Sequence, residues 1–433
     1  MATSENLVFC LERGHDARIF QEDAGEPPAF PGVFGACLMC YSKTVMNERI
    51  YLDNSATTQL DERVIEAMLP CFRQYYGNAS SVHLFGQDAR RVVDEARRSV
   101  AKLLGADTRD VVFTSGGTES DNWSLRGAWL AAGGQPGAHF ITTKIEHPAI
   151  LATCKAMETS GAVITYVPVG ASGIVNPADI EEAIRDTTLL VSVMHANNET
   201  GVIQPIREIA EIARRRGVLF HTDAVQSAGK ISVNVEALNV DLLSLSGHKL
   251  HGPKGIGVLY IRKGTKLASY MTGGSQERKR RAGTENVPAI AGFGAAALLA
   301  AEHLSEMDVR VRNLRDSFER RILSKIDGSR INGSSEAGAR LPNISNIAFA
   351  HLEGEAAVIA LDLENVAVST GSACASGYID PSHVLTAMGL RPEVVQGSLR
   401  FSFSRLNTEV EIERALEILE KVVARLRRLR RTG

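Results

Sequence analysis

Five short stretches carry more chemistry than packing requires, and each follows an apolar run. "VVFT" leads into Ser115-Gly116-Gly117-Thr118-Glu119, where glycine permits close backbone approach and the start of a helix offers free N–H groups to an anion. "HFITT" leads to Glu146-His147-Pro148, and "LLVSVMHA" to Asn197-Asn198-Glu199-Thr200-Gly201. "VLFHT" ends at Asp223, with Gln226 just beyond. "LLSLS" ends at Ser246 and is followed by Gly247-His248-Lys249-Leu250-His251-Gly252-Pro253-Lys254-Gly255.

Each stretch alone has an ordinary reading. The glycine turn lacks the G-x-x-x-x-G-K-[ST] and G-x-G-x-x-G patterns and serves equally as a tight turn. His147 suits a helix cap. His248 and His251 are only a weak metal signal, because Lys249 and Lys254 beside them repel a cation. Asp223 is harder to dismiss, since a carboxylate at the end of a buried strand is costly unless a cation meets it. Together the stretches fit one cofactor. Pyridoxal 5'-phosphate (PLP) needs a lysine for a Schiff base, a carboxylate for its ring nitrogen, an anion site for its phosphate and a flat partner for its ring. Lys249, Asp223, Ser115–Thr118 and His147 supply these in turn.

Ligands in an open α/β sheet sit beyond the carboxyl ends of the strands, so the positioning elements matter. From residue 61 the chain alternates helix-like and strand-like patterns. Asp61 is placed to cap a helix ending near Gly77, and a second helix stops at Gly105. Short apolar runs at 111–115, 139–143, 162–169, 189–196, 218–224, 242–246 and 257–262 read as strands, with helices between most of them. This predicts an α/β fold, a mostly parallel central sheet flanked by helices. A long apolar helix near 287–304 closes the region. The texture then becomes α+β, with a charged helix, short strands in "RING", "NISNIAFA" and "VAVST", and helices near 354–362, 381–389 and 409–429. We therefore expect a large domain at 59–305 and a small one formed by 46–58 and 306–433. Residues 1–45, with Pro27, Pro28 and Pro31, read as a non-core extension without a secretory signal pattern.

Composition narrows the function classes. The chain has 433 residues, 44% hydrophobic and 23% charged, with a net charge of −2, so no global basic field draws it to nucleic acid or an anionic membrane. No apolar run is long enough to span a bilayer. Six cysteines (Cys10, Cys37, Cys40, Cys71, Cys154, Cys374) are too sparse for a disulfide framework, which suggests reduced thiols and a cytoplasmic protein. Cys71 and Cys154 fall in helix patterns and read as structural. Cys374 stands alone in "STGSACASGY", among side chains too small to build a core around it.

These stretches carry a resemblance. "YLDNSATT", "TSGGTESDN", "EHPAIL", "HANNETGVIQPI", "HTDAVQSAGK", "SGHKLHGPKGIG", "RRAGTENV", "STGSACASG" and "SLRFSFSR", in that order, are similar to cysteine desulfurases of the NifS/IscS type, in the class V aminotransferase group of fold-type I PLP enzymes. The resemblance runs from about Ile50 to about Ala424. It implies that Lys249 holds the cofactor, Asp223 meets its ring nitrogen and Gln226 its hydroxyl. It also implies that His147 stacks on the ring and handles protons, and that Gly117, Thr118, Ser246 and His248 hold the phosphate. Thr284 would reach the phosphate of a second subunit, implying a homodimer. Asn198, beside the cofactor, and Arg400 would hold the carboxylate of L-cysteine, and Cys374 would take its sulfur as a persulfide. An iron–sulfur scaffold or another acceptor protein would receive that sulfur, with a transient iron–sulfur contact at Cys374. A selenocysteine lyase or another class V enzyme is the alternative, and the arginine-rich end (Arg425 to Arg431) departs from the polar tail of some family members.

Overall fold

The computed structural model describes residues 49–370 and 381–432. The expectations for residues 1–45 and for Cys374 lie outside these residues.

The central sheet has seven strands: β2 (Val111–Thr114), β3 (His139–Thr143), β4 (Val163–Val167), β5 (Thr188–Ser192), β6 (Leu219–Asp223), β7 (Leu242–Ser246) and β8 (Gly257–Ile261), in the order β2-β8-β7-β6-β5-β3-β4. The five strands from β7 to β4 run parallel, as the strand–helix alternation predicts. β8 runs against both β7 and β2. Only ten residues separate Ser246 from Gly257, too few for a parallel crossover. With two reversals, β2 points the same way as β7. The carboxyl ends of β2, β3, β5, β6 and β7 therefore share one edge, where the candidate residues lie.

Helices cover the sheet. α1 (Glu62–Arg73) and α2 (Leu84–Leu104) pack with α6 (Val287–Glu302), whereas α3 (Gly117–Ala131), α4 (Pro148–Thr159) and α5 (Ile206–Arg215) follow β2, β3 and β5. Asp61 caps α1 by accepting the amide of Arg63 (2.9 Å). α1 ends at Arg73, short of the expected Gly77, just after Pro70, which lacks a backbone donor. α2 ends as expected at Gly105, in the left-handed region at φ 63°. Cys71 and Cys154 are buried in α1 and α4, and burial, then the charges of Glu146 and Glu158, pushes the Cys154 thiol up to about 12.

A separate apolar cluster gathers Ile50 and Leu52 with Val311, Phe318, Ile347, Leu399, Phe401, Phe403, Leu416 and Val423. It lies among α7 (Arg312–Lys325), α8 (Gly354–Asp362), α10 (Glu409–Thr432) and the antiparallel sheet β12-β10-β9, made of Ser398–Ser402, Ile344–Phe349 and Ser329–Ile331. β1 (Ile50–Tyr51) pairs parallel with β11 (Val366–Ala367), which ties the start of the described chain to this cluster. α9 (His383–Ala387) follows the second gap. Among the described residues no single helix is long and apolar enough to cross a membrane.

Candidate active site

The segment after β2 forms the first wall. α3 begins at Gly117, and its cap residue Gly116 offers no side chain to the first amides, which leaves them facing a recess. That recess is lined by Ala56, Thr57, Ser115–Glu119, Ser246, His248, Lys254 and Gly255. Small residues are mandatory here. A Cβ on Gly257 would lie 2.6 Å from the Gly116 backbone, and one on Gly117 would lie 2.8 Å from Val225 Cγ2. Helix-start amides, Ser246, His248 and Lys254 around one opening make a donor set suited to a phosphate.

The second wall is the end of β7. Lys249 Nζ donates to the main-chain oxygens of Ser55 and Ala56, the latter at 2.7 Å. Thr57 of the same segment touches His248 Nδ1 (3.2 Å), and Thr58 Oγ1 donates to the His248 carbonyl (2.8 Å). Gln226 Nε2 donates to the Ser55 carbonyl (2.9 Å). The 53–58 segment thus brings Lys249, His248 and Gln226 together. Sequence reasoning assigns these six residues no role beyond the resemblance.

Asp223 ends β6 and is buried. Its Oδ1 accepts the Val225 amide (2.9 Å). Burial pushes this carboxyl up to about 6, with the Val225 amide and the charge of Lys249 offsetting only part of the cost. Such a group is suited to a cationic ring nitrogen. The shift also fixes a sign. In the cofactor-free protein the penalty is absent below about pH 4, where Asp223 is protonated both folded and unfolded, and complete above about pH 6. Asp223→Asn is therefore expected to leave cofactor-free stability unchanged near about pH 3 and to raise it by about 3 kcal/mol near about pH 8. Urea unfolding at the two pH values checks this, and equal differences at both would contradict it.

His147 caps α4, with Nδ1 accepting the Ala149 amide (3.1 Å). Burial, then Lys249 and His383, pushes it down to about 4. The ring is therefore neutral near neutral pH, with its proton on Nε2. Arg400 is buried on β12; one guanidinium nitrogen donates to the Asn198 carbonyl (3.0 Å), the other to Asp53 (2.7 Å), and Nε has no partner among the described residues. Thr284 is exposed and does not line the phosphate recess; the resemblance assigns it to a second subunit.

Beneath the site lie ionisable groups that sequence reasoning gives no role. Glu146 accepts Thr143 Oγ1 (2.6 Å) and the Met194 amide (3.0 Å), and burial pushes it up to about 8. His221 bonds Ser192 (2.8 Å) and Ser244 (2.9 Å), 3.7 Å from buried Asp121. Lys230 Nζ donates to the Lys249 carbonyl, and burial, then Lys249, pushes it down to about 7. The only outward signal was polarity in unexpected places, such as a histidine inside the apolar run "VLFHT". No group of three or more His, Cys, Asp or Glu among the described residues could hold a metal.

A buried carboxylate, a lysine at a strand end, a neutral histidine and a phosphate-sized donor set on one sheet edge define a PLP site on an α/β scaffold. Residues 50–415 match the aminotransferase class-V family, and the chain belongs to it. A cysteine desulfurase of Trichormus azollae is 48% identical over 381 residues, covering 88% of this chain and 94% of its own. A solved NifS-like protein superposes with a TM-score of 0.81 at 38% identity, covering 87% of this chain and 99% of its own. The structure of SspA in complex with cysteine gives 0.72 at 36% identity, over 82% and 98%. PLP is the cofactor of this family.

Proposed function

We propose that this protein is a PLP-dependent cysteine desulfurase, which moves the sulfur of L-cysteine onto Cys374 and releases L-alanine. The observation that carries this is the convergence of Lys249, Asp223, His147 and the Ser115–Thr118 recess on one sheet edge, in a chain 48% identical to a cysteine desulfurase over most of its length.

The residues divide the work. Gly117, Thr118, Ser246 and His248 would receive the phosphate, and Asp223 would keep the proton on the ring nitrogen. Gln226 would meet the cofactor's hydroxyl. When bound, PLP supplies a sink for the electron pair left at the substrate α-carbon. Arg400 and Asn198 would hold the substrate carboxylate, Arg400 through Nε and the terminal nitrogen that Asp53 gives up to the substrate, a fork suited to that planar group. Lys249 Nζ, freed from its structural contacts, receives the α-proton. His147, its proton on Nε2, would stack on the ring and serve as a proton donor. The Cys374 thiolate then bonds to the substrate sulfur as the bond to the β-carbon breaks, leaving a persulfide on the protein.

The sulfur would pass to an iron–sulfur scaffold or another acceptor protein in the cytoplasm, where Cys374 makes at most a transient iron–sulfur contact. The small cluster, with 46–58 and 306–433, would act as a domain that presents Cys374. A homodimer is supported by an exposed apolar surface on α1, α2 and their connection: Phe72 (61% exposed), Tyr76 (66%), Val82 (90%), Leu84 (75%) and Phe85 (54%), with the Tyr76 and Phe85 rings 5.6 Å apart. A contiguous apolar surface of this kind marks an interface, and light scattering giving the mass of one chain would exclude the dimer. Turnover tests the activity: L-cysteine is expected to yield alanine and sulfur in equal amounts. PLP-loaded protein that forms no alanine would refute the reading.

A further inference from the structure

β2 is the edge strand of the central sheet, and side chains complete its outer edge. Arg97 of α2 donates to the Val111 carbonyl (2.9 Å) and, through both terminal nitrogens, to Glu277 (2.7 and 2.7 Å). Glu277 in turn accepts the Phe113 amide (3.0 Å). Two residues further along, the Ser115 amide donates to Glu119 (2.7 Å), which Arg281 grips with two bonds (2.8 and 3.0 Å). Residues 111, 113 and 115 thus meet two arginine–glutamate pairs where a neighbouring strand would lie. The Arg97–Glu277 pair is buried, and Arg97 also sits 4.7 Å over the Phe113 ring. Both pairs include a residue of the short segment 277–281.

That segment is strained. Glu277, Arg278 and Lys279 have φ of 44°, 58° and 64°, three successive non-glycine residues in the left-handed region. Such conformations persist where the surroundings over-determine them, and they gather at ligand clamps. Glu277 and Arg281 hold the end of β2, one residue before Gly116, while Arg278 and Arg280 donate to the Thr108 and Arg109 carbonyls ahead of β2.

We propose that Glu277 and Arg281 are positioning residues for the cofactor phosphate, a strap that takes the place of an eighth strand and fixes the Ser115–Thr118 turn at the spacing the phosphate requires. This rests on the PLP reading above. Toward the site the strap reaches Phe113 and Glu119, and through Glu119 the Ser115 amide, all at the phosphate end.

The test compares PLP with pyridoxal, which lacks the phosphate, on the full-length protein stripped of cofactor and titrated by absorbance. Glu277→Gln and Glu119→Ala each remove a negative charge near the phosphate recess, so a field effect alone would tighten PLP binding. The strap predicts the opposite: PLP binding weakens by about tenfold or more, while pyridoxal binding changes by less than about twofold. Unchanged or tighter PLP binding, or equal weakening for both ligands, would overturn the proposal. Glu277→Gln leaves Arg97 without a counter-charge, and if that protein does not fold, Glu119→Ala decides alone. Wild-type protein that binds neither ligand would refute the PLP reading instead.

Discussion

Lys249→Ala is expected to lower alanine formation from L-cysteine by at least about three orders of magnitude, the scale of removing a group that acts both as covalent anchor and as base. Two features of the site make the loss large. Lys249 follows the end of β7, directed at the 55–56 carbonyls. Lys230, the nearest alternative amine, is buried behind it and bonds the Lys249 main-chain carbonyl. The variant should also release its cofactor on dialysis, because only non-covalent contacts would then hold it. Alanine assay and absorbance of the dialysed protein check both statements. Turnover within about tenfold of wild type would remove Lys249 from the mechanism.

Cys374→Ser separates cofactor chemistry from sulfur transfer. The variant is expected to keep the cofactor's visible absorbance and to change spectrum when L-cysteine is added. Sulfur delivery should fall below about one-thousandth of wild type, since a hydroxyl is far less ionised and less nucleophilic toward sulfur than a thiol. Described residues on both sides of Cys374 are tied to the site. Ser369 pairs its backbone with that of Arg400 (2.6 and 3.2 Å). Ser382 Oγ donates to buried Glu199 (2.5 Å), and His383 bonds the Glu146 carbonyl (2.9 Å), beside His147. Spectra recorded with substrate, together with sulfide measured after reduction, distinguish the expected outcome from a folding defect, which would remove the absorbance as well.

Much of this arrangement was legible in the sequence. Strands buried on both faces read as short apolar runs, and the chemistry follows each run directly, so one local pattern marks both the sheet and the site. Asp223, Lys249, His147 and the glycine turn all lie where that pattern puts them. Contacts distant in sequence left little trace. The link between the 53–58 segment and Lys249 spans nearly two hundred residues, and nothing local to either end reveals it. Asp121, Glu146, His221 and Lys230 are buried in polar surroundings supplied by other strands, so their types alone suggest surface positions. Glu277 and Arg281 fall in a charged stretch, "QERKRRAG", with no apolar periodicity to assign it an element. Only tertiary pairing with Arg97 and Glu119 gives it a shape.

The central claim is that sulfur leaves L-cysteine for Cys374. The most direct measurement is mass spectrometry of the Cys374 peptide, without reductant, after one turnover of PLP-loaded protein with L-cysteine and no acceptor. The account predicts that this peptide gains the mass of one sulfur atom, in step with the alanine released, and that the gain disappears on reduction. Alanine released with no sulfur on Cys374, or with the sulfur on another cysteine, would contradict it.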